Sequence, residues 1–142
     1  MTDSAPTVLF VCVHNSGKSV MAQGLMRHHG GERIIATSAG TNPTPGVNDQ
    51  SVQVLAELGV DISTHTATQL TEAMVAGADR VVVLGTQAHV EPVGGTPVEV
   101  WDTDEPSLRG IEGLERMRLI RDDIAARVIE LHTRMTGLGA PH

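Results

Sequence analysis

Apolar residues fall along this chain in two spacings, and the switches between them mark out its elements. Val8-Leu9-Phe10-Val11-Cys12-Val13 is an unbroken apolar run, the pattern of a strand buried on both faces, and it ends at Asn15-Ser16-Gly17. Val20, Met21, Gly24, Leu25 and Met26 then recur at helical spacing until Gly30-Gly31 stops them. The alternation repeats. Residues 33–39 have strand character, 40–46 form a proline-punctuated loop, and 48–58 carry Val52, Leu55, Ala56 and Leu58 along one helical side, with Gly59 as the C-cap. A shorter helix is predicted over 71–77, a strongly buried strand over 78–84 and a shorter strand over 97–101. The long element comes last: residues 111–135 set Leu114, Met117, Leu119, Ile120, Ile124, Val128 and Leu131 at helical intervals, with Arg and Asp on the other side.

Strands alternating with helices through short connections predict an α/β fold: a three-layer αβα sandwich around a four-stranded parallel sheet with right-handed crossovers. A chain of 142 residues is within the usual size of one domain, and no linker, low-complexity tract or repeat divides it, so residues 1–142 read as a single domain. Residues 136–142 read as a frayed tail.

Composition narrows the function. A net charge of −7 argues against a generally basic nucleic-acid surface or attraction to anionic membranes, so an anionic substrate would need donors gathered locally. The apolar run near the start is too short to span a bilayer and residues 1–7 lack a positive leader, which makes the cytoplasm the expected location. The histidines show no metal-ligand spacing, so neither a catalytic metal nor a bound cofactor is expected. The one cysteine cannot form an internal disulfide, and any redox chemistry must draw a thiol from another molecule.

That cysteine stands where chemistry is expected. Ligands of open parallel sheets collect at the carboxyl ends of strands, and Cys12 to Ser19 lies at such an end and leads into a helix. Backbone amides at a helix N-terminus attract an oxyanion and favour a thiolate, and Lys18 adds a full positive charge. Gly17-Lys18-Ser19 also fits the end of a nucleotide-binding P-loop, with residues 98–102 as its metal-binding strand, but that motif requires glycine where this chain has Cys12.

Cys12, five residues, a cation at Lys18 and then Ser19 resembles the cysteine-based phosphatase loop. The run Val8 to Ser19 resembles its low-molecular-weight branch, which includes tyrosine phosphatases and arsenate reductases. Ser38-Ala39-Gly40-Thr41, Leu58 to Ser63 and Trp101 to Pro106 match further motifs in order, so the resemblance spans nearly the whole chain. It implies that Cys12, Lys18 and Glu105 are catalytic and that Val13, His14, Asn15, Ser16, Gly17, Lys18 and Ser19 surround the oxyanion. It further implies that Asn15 and Ser38 hold the loop in shape by hydrogen bonds and that Ser19 hydrogen-bonds the sulfur. Glu105 stands before Pro106 where the family carries its general-acid aspartate, and Asp104 is the alternative.

Two departures and an absence point within the family. Lys18 replaces an arginine whose planar fork grips two oxygens of an anion, and phosphoryl transfer depends on that grip. With no tyrosine, one Phe and one Trp, the chain has little to place around a phosphotyrosine ring. Thioredoxin-linked arsenate reductases of this fold carry resolving cysteines, one just after the strand matching Val81 to Leu84, where this chain has Gly85. The single-cysteine loop with Gly-Lys-Ser, the Glu-Pro acid loop and the Gly113 to Arg118 segment resemble the mycothiol-dependent arsenate-mycothiol transferases. That resemblance implies arsenate as substrate, mycothiol as co-substrate and mycoredoxin as partner. Whether Cys12 bonds arsenic or chiefly shapes the site stays open, and a low-activity phosphatase and a non-catalytic oxyanion-binding module are the rival readings.

Overall fold

The structure, a computed structural model, describes residues 5–137. Four strands, β1 (Thr7–Cys12), β2 (Ile35–Gly40), β3 (Arg80–Leu84) and β4 (Val98–Trp101), form one parallel sheet in the order β2-β1-β3-β4. The predicted α/β sandwich with a four-stranded parallel sheet is the fold observed. The central β1 explains the unbroken apolar run: Val8 and Phe10 point into one core, Leu9 and Val11 into the other, and all four are buried.

The larger core lies under α1 (Lys18–Gly30), α2 (Asp49–Ala56) and α4 (Gly113–Thr136), filled by residues such as Met21, Met26, Leu55, Ile120, Ile124 and Leu131. The smaller core is covered by α3 (Glu72–Gly77) and the segment carrying Ala88, Val90 and Val93. Side chains set the starts of the short helices: Asn48 accepts from Ser51 N at 2.9 Å to begin α2, and Thr71 accepts from Met74 N at 3.2 Å to begin α3. α2 ends at Ala56, two residues short of the predicted Leu58. The turn after it is closed by Gly59 (φ 78°), whose N–H bonds Ala56 O while Val60 N bonds Leu55 O.

The two faces of α4 are less cleanly divided than the pattern implies. Arg121, expected on the solvent side, is buried, and its guanidinium donates to Val54 O at 2.9 Å and to Glu57 at 2.7 Å, fastening α4 to α2. Thr136 closes α4 and Gly137 caps it (φ 70°); the rest of the predicted tail is outside the described residues. Among the described residues no helix is long and apolar enough to cross a membrane.

Candidate active site

The register of the central strands fixes the site. Cys12 ends β1 beside Gly40 of β2, and the chain then turns through residues 13–17 into α1. Gly17 caps α1 without a side-chain hydrogen bond, and the first-turn amides of a helix have no intrahelical acceptor, so this end of α1 can meet an anion. The segment after β2 holds the outside of the turn: Thr41, Asn42, Thr44 and Asn48 donate backbone N–H bonds to the carbonyls of Cys12, Val13, His14 and Ser16 at 2.7–3.1 Å. Gly40 permits this approach, because a Cβ there would lie 2.7 Å from Val13 O and 3.0 Å from Asn15 N.

Asn15 is the keystone of the turn. It is fully buried with φ 51°, a left-handed conformation that asparagine tolerates better than most residues. Its Nδ2 donates to Ser19 Oγ at 2.8 Å, while its Oδ1 accepts from Thr68 N and lies 3.0 Å from His65 Nε2. Since Ser19 Oγ accepts from Asn15, its own hydroxyl hydrogen can point at Cys12 Sγ, 2.9 Å away. The Asn15 backbone N–H also donates to Sγ, at 3.3 Å. Both donors suit a negatively charged sulfur. His65 and Thr68 lie fifty residues downstream and carried no signal in the sequence. Burial holds His65 below the usual histidine pKa, so the neutral ring meets Asn15.

Other predicted residues lie differently. Ser38 donates to Gln23 at 2.6 Å, joining β2 to α1, and does not bond the loop. The exposed His14 turns its Nδ1 toward Asn42 O (3.1 Å) and Thr44 Oγ1 (3.0 Å), away from a role as base. Lys18 Nζ donates to Thr103 Oγ1 at 2.8 Å, bridging the start of α1 to the loop after β4.

A cleft of about 430 Å³ opens over Cys12, walled by the turn, by Leu84 to Ala88, and by Asp102, Thr103, Glu105 and Arg116. Val13, His14, Ser16, Gly17 and Lys18 line it, whereas Asn15 and Ser19 stand behind the wall. Phe10 and Trp101 pack on each other in the core with ring centroids 5.7 Å apart, and neither lines the cleft. Gly85 (φ 89°) stands in the wall at the position after β3.

The acid loop departs most from expectation. Arg116, on the first turn of α4, grips Glu105 with Nε on Oε2 and Nη2 on Oε1, both at 2.7 Å. Ser107 adds donors to Oε2 from its hydroxyl (2.7 Å) and backbone N–H (3.3 Å). The arginine fork, helped by Ser107, holds Glu105 down at about 2, so it has no proton to give while Arg116 holds it. Asp104 lies in the same condition, forked by Arg109 at 2.8 and 3.1 Å and lowered by that contact. The sequence reading missed Arg116 as a cleft residue. Its one signal was a cation one turn into the helix that follows the acid loop.

The comparisons with known proteins identify the family. The model of the low molecular weight phosphotyrosine protein phosphatase family matches residues 7–137. The chain belongs to that family. A putative arsenate reductase of Halobacterium salinarum is 31% identical over 134 residues, covering 91% of this chain and 92% of the relative. The arsenate reductase of Staphylococcus aureus is 30% identical over 90% of this chain and 97% of its own. Among solved structures, an arsenate reductase in a phosphate-binding state superposes with a TM-score of 0.78 at 30% identity, over 92% of this chain and 98% of that one. A thioredoxin-dependent arsenate reductase of Corynebacterium glutamicum also scores 0.78, at 27% identity; 95% of this chain matches, spanning 64% of that longer protein.

Proposed function

We propose that this member of the family is an arsenate reductase that works by transfer to an external thiol, with mycothiol as co-substrate and mycoredoxin as partner. The observation that carries this reading is Cys12, the only cysteine of the chain, in the wall of the cleft with Ser19 Oγ and the Asn15 N–H on its sulfur and the Lys18 cation beside it. The family relatives named arsenate reductases support the substrate. The single cysteine supports the outside thiol, because no second cysteine is present in the sequence to close an internal disulfide.

In this reading arsenate sits over the turn with the amides of residues 13–19 and Lys18 offsetting its charge. The Cys12 thiolate bonds arsenic, one arsenic–oxygen bond breaks, and that oxygen leaves as water after taking up protons; arsenic remains arsenic(V). Mycothiol sulfur then displaces Cys12, exchanging one arsenic–sulfur bond for another. A mycoredoxin thiolate attacks the mycothiol sulfur, the electron pair of the arsenic–sulfur bond stays on arsenic, and arsenite and a mixed disulfide result. Lys18, a point charge where a fork would grip phosphate, and a cleft with neither Phe nor Trp in its wall both count against phosphotyrosine hydrolysis.

The test is mass spectrometry of the arsenic–mycothiol adduct. The wild type should form it and Cys12→Ser should not, because a serine hydroxyl lacks the thiolate's nucleophilicity. Adduct formation by Cys12→Ser at the wild-type rate would make the turn a cradle for direct attack by mycothiol, and none with either protein would end the mycothiol reading.

A further inference from the structure

Both cations of the cleft are bound to one loop. Lys18 reaches Thr103, and Arg116 grips Glu105 two residues on. The Arg116–Glu105 pair is only half-buried, with side chains 28% and 31% exposed, and it opens onto the cleft that contains Cys12. At that exposure the pair is in reach of solvent and of any anion that enters the cleft.

The two carboxylate oxygens are not equivalent. Oε2 has two Ser107 donors besides Arg116 and would keep its place without the arginine. Among the described residues Oε1 has Arg116 as its one donor. On the arginine, Nη1 has among the described residues only the weak acceptor Met117 Sδ at 3.6 Å, so the guanidinium retains unused donor capacity.

We infer that Arg116 is a shared cation, held by Glu105 until an oxyanion enters and then drawn onto that oxyanion, so that ligand entry itself frees the Glu105 carboxyl to act as proton donor. The swap is balanced in charge: the guanidinium leaves one anion for another. Glu105, now facing an added negative charge without its arginine, takes a proton on Oε1 from solvent while Ser107 holds Oε2. On the arsenate-transfer reading, that proton goes to the departing oxygen as the sulfur–arsenic bond forms, and Glu105 returns to the carboxylate that recaptures Arg116 on product release. Arg116 is thereby a positioning residue for the acid as well as a contact for the anion.

The inference rests on the proposed function only for the use of the proton, and its test needs no turnover. Inorganic phosphate affinity is measured by calorimetry for wild type, Glu105→Gln, Arg116→Gln and the double variant, in which two neutral amides leave no charge unpaired. If Glu105 and the anion compete for Arg116, Glu105→Gln should tighten phosphate binding about tenfold where Arg116 is present and change it less than about twofold in the Arg116→Gln background. Arg116→Lys should bind more weakly than wild type because it keeps the charge without the fork. Equal tightening in both backgrounds would show simple charge removal and overturn the inference, as would no tightening in either. Loss of arsenate turnover with the coupling intact would strike the proposed function and leave the shared cation standing.

Discussion

Replacing Asn15 tests the architecture of the turn. Asn15→Ala removes side-chain bonds to Ser19, Thr68 N and His65 from a fully buried position and places alanine at φ 51°. The stranded Thr68 N–H costs about 1–3 kcal/mol, and each of the other two lost bonds about 1 kcal/mol. The left-handed backbone adds about 1 kcal/mol for a residue less tolerant of it than asparagine. These contributions overlap, because water and small backbone shifts recover part of each, so a loss of about 3–5 kcal/mol is expected. Asn15→Gly separates them. It loses the same bonds without the backbone strain and should be about 1 kcal/mol less destabilised than alanine. Urea unfolding gives the stabilities, and the rate of Cys12 alkylation with and without phosphate reports the turn. Both variants should lose phosphate protection, because Ser19 is no longer directed at the sulfur and residues 13–17 no longer hold their curve. A loss below about 1 kcal/mol, or a large loss with protection intact, would mean that Asn15 does not hold the turn.

Other expectations concern acid stability and specificity. His132 is buried with Nε2 unpartnered, and burial, then His29 and Arg33, hold it below the usual histidine value. The unfolded chain therefore protonates first: the stability is intact above about pH 6.5 and falls as pH drops through that value toward the lower folded pKa. His65 contributes with the same sign. His132→Leu should flatten the urea midpoint between pH 7.5 and 5.5, and an unchanged slope would contradict this assignment. Lys18→Arg should raise aryl phosphate hydrolysis by restoring a two-pronged grip, even if arsenate turnover falls; no gain would move the limit to the acid loop.

The residues that could be read from sequence share a physical reason, as do those that could not. Burial leaves a periodic trace, so the two-faced β1, the amphipathic α4 and the strand–turn–helix around Cys12 were legible from spacing alone. Polar partners leave none. Nothing local connects Asn15 to His65 and Thr68, or Ser38 to Gln23, because these pairings arise when β2 and the segment after it pack beside the turn. Arg121 misled the pattern for a related reason: its charge marked it for solvent, while Val54 O and Glu57 gave it a buried partner set. The position of Glu105 before Pro106 was legible, but its protonation depends on Arg116, eleven residues on and brought back by the short 3-10 turn Pro106–Arg109. A residue type can be assigned from a motif; its charge state belongs to its neighbours.

In the proposed reaction a single cysteine hands arsenic to a thiol from outside the chain. Arsenite release should be measured with purified protein, arsenate and one of two reducing systems: mycothiol with mycoredoxin, or thioredoxin with its reductase. Sustained turnover is expected with mycothiol and mycoredoxin, dependent on Cys12, and none with thioredoxin alone. Sustained turnover with thioredoxin alone, and none with mycothiol, would contradict that reaction.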